Sequence, residues 1–274
     1  MAPVSRATTP SLWDFDAVIF DMDGVVTATA VVHAAAWKKL FDAYLRQRAE
    51  ETGEAFVPFD EHAEYERYVD GKTRYDGVRS FLESRGIALP DGSPDDPAGT
   101  DSVCAMGNDK DTYFMAHVRE HGVETYESTV RVIRELRARG VKTALVSASR
   151  NAVDVLSCAG LLDLFDERVD GVMAAELDLR GKPDPATFLE AARRLGVEPA
   201  RAAVVEDALS GVAAGRAGDF GLVVGVARGG QTEALRNAGA HVVVGDLAAF
   251  ESTDRRYAST QEPLPGGRVE KENT

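Results

Sequence analysis

Residues 16–26 read DAVIFDMDGVV: an apolar run from Ala17 to Phe20 stops at Asp21 and is followed by Asp23 and Gly24. A short Val/Ile-rich run ending at a polar cluster is the pattern of a strand buried on both faces of a parallel sheet. Open α/β sheets bind ligands at the carboxyl ends of their strands, so two acids and a glycine at that point mark a candidate site. Taken alone the pattern is weak, because DxDG arises by chance in roughly one chain in fifteen of this length. The plainer reading is an exposed turn pair.

The same pattern recurs further along. TALV precedes Ser147, AAVV precedes Glu206-Asp207, LVVGV starts at Leu222 and HVVV at His241. Between these runs lie segments of helical period: Val130, Ile133 and Leu136, closed by Gly140, and Phe188, Leu189, Ala192 and Leu195 in DPATFLEAARRLG. Strand and helix alternate over residues 127–246, which predicts an α/β fold with a Rossmann-like parallel sheet and right-handed crossovers. Residues 27–126 break the alternation. Trp37, Leu40, Phe41, Tyr44 and Leu45 fall at i, i+3, i+4, i+7 and i+8, one apolar helix face. Further helices are expected over residues 74–84 and 109–121, separated by the Pro/Gly/Asp-rich loop ALPDGSPDDPAGTDS. The expected organisation is a core segment at 1–27, a helical insertion at 28–125, the remainder of the core at 126–250, and a mobile tail at 251–274 that lacks apolar periodicity.

Composition narrows the function. The 274 residues carry 31 Lys+Arg against 45 Asp+Glu, a net charge of −14. Such a field repels polyanions and argues against nucleic acid or an anionic membrane surface as partner. No apolar stretch approaches the roughly 20 residues of a membrane span, and the first residues lack the apolar centre of a secretory signal, so a cytoplasmic protein is expected. Cys104 and Cys158 are far apart and outside any CxxC spacing, which fits two thiols in a reducing compartment.

In a parallel sheet the strand ends converge on one rim, which brings Asp21, Asp23, Ser147, Glu206 and Asp207 together, with Lys182 of the loop GKPDP between them. Four carboxylates in one cleft repel each other unless a cation sits among them. Oxygen ligands without a Cys or His cluster favour Mg²⁺, which binds best with a substrate phosphate completing its shell. A lysine and a hydroxyl beside it supply what a transferring phosphoryl group needs. Plainer readings stand beside this one: Lys182 as a turn lysine, Glu206-Asp207 as a pair at a helix N-terminus, Ser147 as an N-cap, His33 as a core histidine, and Arg74 as a surface charge.

The motifs DxDGV, SAS, GKPDP and EDA, in that order over about residues 16–246, resemble the haloacid dehalogenase superfamily. TATAVVHAAAW, GKTR around Arg74 and SASRN around Ser147 resemble its β-phosphoglucomutase branch. The resemblance implies a core with an inserted helical cap, a hexose phosphate as the small-molecule partner, a monomer, and transfer through an aspartyl phosphate. Sugar phosphate hydrolysis is the near alternative and a phospho-accepting signalling domain the remote one. It further implies Asp21 as nucleophile, Asp23 as proton donor and acceptor, and Mg²⁺ on Asp21, the Asp23 carbonyl, Glu206 and Asp207. Ser147, Ala148 and Lys182 would hold the transferring phosphoryl group. Ser149, Arg150 and Asn151 would form the surroundings of that group and contact the substrate, while Arg74 would hold the distal phosphate, with Lys110 by the sugar. His33 and Thr29 would link cap closure to catalysis. Two departures bear on whether water or a sugar hydroxyl receives the phosphoryl group: YEST stands where the family commonly has Pro-Gly, and the cap loop at residues 92–99 is longer.

Overall fold

The computed structural model describes residues 11–251. The expected tail lies outside these, apart from residue 251. Six parallel strands form one sheet in the order β3-β2-β1-β4-β5-β6. They are β1 (Ala17–Asp21), β2 (Lys142–Val146), β3 (Glu167–Val169), β4 (Ala202–Glu206), β5 (Leu222–Val226) and β6 (Val242–Val244). From β1 the chain builds outward to β3 on one side, then returns to β4 and builds the other side. That reversal of winding direction opens a crevice at the carboxyl end of β1, between β2 and β4.

β1 is buried along its whole length, and its residues alternate between two apolar layers. Val18 and Phe20 pack with Val130, Ile133 and Leu136 of α4 (Glu127–Ala138) and with Val155 and Leu156 of α5 (Ala152–Cys158). Ala17 and Ile19 pack with Phe188, Ala191 and Leu195 of α7 (Ala186–Leu195), Val212 of α8 (Leu209–Ala217) and Leu235 of α9 (Thr232–Ala238). A short α6 (Gly171–Glu176) follows β3. The result is a helix-sheet-helix sandwich, the arrangement a parallel sheet needs to bury both faces.

Between β1 and α4 lie α1 (Ala30–Thr52), α2 (Arg74–Ser84) and α3 (Val103–His121). They enclose a core of their own, in which Trp37, Leu40, Phe41 and Leu45 of α1 meet Phe59, Phe81, Leu82, Val103 and Met106. The face predicted for α1 is therefore the one it buries, with Tyr44 at its edge. Thr73 caps α2 by accepting from Asp76 N, and Ser102 caps α3 by accepting from Ala105 N at 3.0 Å.

Two expectations need correction. α3 starts at Val103, six residues before the predicted start, because Ser102 ends the polar loop and caps a helix whose first turns were masked by Gly107. β3 was not foreseen: with Glu167 and Arg168 half-buried at the sheet edge, it shows no apolar run. Among the described residues no helix is long and apolar enough to cross a membrane. Cys104 is buried, Cys158 is exposed, and both are free thiols.

Candidate active site

Asp21 is the last residue of β1, and the chain turns immediately at Gly24, whose φ is +82°. A Cβ on Gly24 would lie 1.7 Å from Asp207 Oδ2, so glycine is required for the two loops to close on each other. The loop after β4 is built on the same principle, since a Cβ on Gly211 would fall 1.6 Å from Glu206 Oε1. Removing both side chains lets one oxygen each of Asp21, Glu206 and Asp207 come within 4.8 Å of one another.

Lys182 reaches into this cluster from the loop before α7. Its ammonium pairs with Asp21 Oδ1 and donates to Glu206 Oε1 at 2.6 Å, while Ala208 N donates to Glu206 Oε2 at 2.7 Å. Burial by itself would drive the lysine toward neutrality, but Asp21 and Glu206 outweigh it and raise its pKa. Burial raises the Asp21 carboxyl well above its usual range, Lys182 opposing and Glu206 and Asp23 adding to the rise. Asp207 is raised in the same sense by burial, then by Asp70, Glu206 and Asp21. Clustered oxygens with a single lysine among them, and no sulfur or imidazole within the group, are the donor set of a hard divalent cation.

Asp23 belongs to a second network that runs into the helical insertion. Thr29, at the start of α1, donates to Asp23 Oδ1, and Thr27 and Thr29 share a hydrogen bond of 2.6 Å. His33 Nε2 lies 3.3 Å from Asp23 Oδ1, and His33 Nδ1 lies 2.5 Å from Lys110 Nζ. The imidazole stacks on Phe114 with centroids 4.0 Å apart. Burial would lift the Asp23 carboxyl, but His33, Thr29 and Lys110 hold it below its ordinary value. Burial and Lys110 in turn lower His33, and burial lowers Lys110 to about 8.

One cavity joins the two networks. Asp21, Asp23, Lys182, Asp207, Ala148, Ser149 and Arg150 line it from the core, and His33, Trp37, Arg74 and Lys110 from the insertion. Three expected residues stand behind the wall. Ser147 is buried, its Oγ accepting from Ser149 N at 3.1 Å; Glu206 is fully buried behind Lys182; Asn151 is turned to Asp111, donating to Oδ1 at 2.6 Å.

A profile of the haloacid dehalogenase-like hydrolases matches residues 15–219. The chain belongs to that family. It is 53% identical over 235 residues to a protein named β-phosphoglucomutase from Mycobacterium tuberculosis, spanning 85% of this chain and 90% of that one. A β-phosphoglucomutase from Bacillus subtilis is 32% identical over 210 residues, 76% and 83% of the two chains. The crystal structure of a β-phosphoglucomutase from Clostridium difficile superposes with a TM-score of 0.67 at 27% identity, over 86% of this chain and 93% of that one. As a member of the haloacid dehalogenase superfamily the protein is an enzyme, and the signalling reading has no support beside these likenesses.

The cavity reaches beyond the strand ends into the insertion. Tyr65, the first residue of a π-helical turn (Tyr65–Val69), and Asp70, the residue after it, also line the cavity. Burial and the nearby Glu206 raise Asp70 to about 7, with Tyr65 hydrogen-bonded to it. Ser210 Oγ donates to Asp70 O at 3.0 Å, fastening this turn to the core. The signal available in the sequence was the Val69-Asp70 immediately before GKTR; that motif drew attention to Arg74 alone.

Proposed function

We propose that the chain is a Mg²⁺-dependent β-phosphoglucomutase of the cytoplasm, converting β-glucose 1-phosphate to glucose 6-phosphate by way of a phosphoryl group carried on Asp21. One observation carries the reading: Asp21, paired with Lys182, opens on a cavity whose other wall consists of His33, Arg74 and Lys110 from the insertion. The relatives named β-phosphoglucomutase, at 53% and 32% identity, suggest the substrate.

In the first half-reaction the free hydroxyl of the sugar phosphate attacks the phosphoryl group carried on Asp21, the bond from phosphorus to the Asp21 oxygen breaks, and Asp23 takes the hydroxyl proton, leaving a bisphosphate in the pocket. In the second, an Asp21 oxygen attacks the other phosphate of that bisphosphate, the bond from phosphorus to the sugar oxygen breaks, and Asp23 returns its proton to that departing oxygen. Lys182 holds a fixed positive charge against the transferring group, with Ser147 and Ala148 beside it, and needs no rearrangement as charge develops. Mg²⁺ held by Asp21, the Asp23 carbonyl, Glu206 and Asp207 would neutralise phosphoryl oxygens. Arg74, with Arg150 and Asn151, grips the distal phosphate, since a guanidinium can bind it in two places.

The family's description as hydrolases favours a second reading, a sugar phosphate phosphatase using the same residues. The two are separated by supplying β-glucose 1-phosphate, Mg²⁺ and a trace of bisphosphate primer. Glucose 6-phosphate without free phosphate is the expected product, and stoichiometric free phosphate would refute the mutase. Asp21→Asn is expected to abolish turnover and labelling of the protein by phosphate; an active variant would remove Asp21 from the role of nucleophile.

A further inference from the structure

Asp111, on α3 of the insertion, faces the cavity beside Lys110. Both of its carboxylate oxygens are engaged, each by a different half of the molecule. Oδ2 lies 3.0 Å from Arg74 Nη1, at the start of α2, and Oδ1 accepts from Asn151 Nδ2 at 2.6 Å, in the core loop after β2. Among the described residues this is the ion pair made by Arg74, whose side chain is only 15% exposed. A guanidinium from the insertion and an amide from the core therefore converge on two oxygens of one anion, with Arg150 also on the cavity wall. That is a seat for an oxyanion, and a side chain of the protein already sits in it.

We propose that Asp111 occupies the seat of the substrate's distal phosphate and is displaced by it, making Asp111 a determinant of which acceptors the closed enzyme admits. The proposal rests on the reading of the cavity as a sugar phosphate site. A carboxylate offers two oxygens and one charge; a phosphate monoester offers three oxygens and nearly two charges, so it wins both donors when it arrives. A neutral sugar brings nothing that competes. Until a phosphorylated ligand enters, the Arg74–Asp111–Asn151 link ties the insertion to the core across the cavity mouth. Breaking the link is a fixed cost for every incoming ligand, and only a ligand with a phosphate at this end recovers it. Ligands lacking that group are thereby rejected even where the rest of the sugar fits.

The test uses the full chain with Mg²⁺. The affinity of glucose 6-phosphate is measured by calorimetry, and the KM for β-glucose 1-phosphate by turnover, in wild type, Asp111→Ala, Asp111→Asn, Arg74→Ala and the double variant Asp111→Ala/Arg74→Ala. Removing the internal competitor is expected to lower both the Kd and the KM by about fivefold or more, a coupling of ordinary size. Asp111→Asn, which keeps the shape and loses the charge, should fall between. In the Arg74→Ala background, removing Asp111 should change the Kd by less than about twofold, because the contest over the guanidinium is gone. An unchanged or weakened affinity in Asp111→Ala overturns the proposal and makes Asp111 a support that orients Arg74. Because binding is read without turnover, a wild type that releases phosphate instead of isomerising its substrate defeats the mutase reading and leaves this comparison intact.

Discussion

Lys182 is a buried cation between two buried carboxylates, and its removal leaves Asp21 and Glu206 facing each other without compensation. Breaking such a buried ionic cluster costs about 3–5 kcal/mol. Lys182→Met is therefore expected to lose stability on that order in urea unfolding, with part of the loss restored by millimolar Mg²⁺; a variant as stable as wild type without the ion would mean the carboxylates are not charged there. Lys110 makes a pH-dependent prediction. A lysine in the unfolded chain titrates near 10.5, whereas burial brings folded Lys110 to about 8, its neighbours Asp111 and Asp23 opposing in part. Between these values the unfolded state binds the extra proton, so stability rises as pH climbs from 8 to 10.5 and the gain disappears as pH falls back through 8. At neutral pH the charged, buried ammonium costs about 3 kcal/mol. Lys110→Met should raise Tm at pH 7, flatten stability across the pH 8–10.5 window, and lower activity; an unaltered slope in that window would show that another group titrates there. Single residues were legible in the sequence where they ended a buried strand, as Asp21, Glu206 and Asp207 do. Tyr65 and Asp111 sit on helical segments of the insertion and Asp70 just past one, where no periodicity distinguishes a cavity wall from solvent.

At the scale of elements, the central strands were readable because a parallel strand buried on both faces must be apolar up to its carboxyl end, as β1, β4 and β5 are. β3 escaped because an edge strand of three residues buries too little to leave a pattern. The beginning of α3 escaped because its cap lies in a loop already rich in Ser and Asp. The π-helical turn has no local signature, yet it fixes how the insertion meets the core. Gly71, just after it, has φ +69°, and a Cβ there would lie 2.4 Å from Ser210 Oγ and 3.0 Å from the Ala208 side chain. Gly71→Ala is thus expected to weaken docking of the insertion by about 1–2 kcal/mol, roughly a tenfold loss in kcat/KM. Thermal unfolding of the sheet should be unaffected. Full activity in this variant would show that the turn need not approach α8 so closely during turnover.

The whole molecule has two apolar interiors, one divided by the sheet and one inside the insertion, and the second is held by aromatic contacts. Phe81 is fully buried, edge-on to Phe59 at 5.0 Å and tilted against Phe41 at 4.1 Å. Phe81→Ala should cost about 3–5 kcal/mol, all of it in the insertion. Calorimetry is expected to resolve a first, small transition ahead of melting of the sheet, and a single transition would mean the two interiors unfold as one. A further property follows from the way the chain crosses between them. It leaves the core at residues 26–28 and returns at residues 124–126. There Ala28 N donates to Glu124 O at 2.9 Å, Tyr126 N donates to Val26 O at 3.0 Å, and Thr27 bridges Thr125 in antiparallel fashion. Two independent tethers would let the helical body wander in every direction. Zipped into one narrow ribbon, they would permit chiefly a swing about a single line, so any opening would follow one arc and any closing would return His33 and Arg74 to the same places on the wall of the cavity that Asp21 shares.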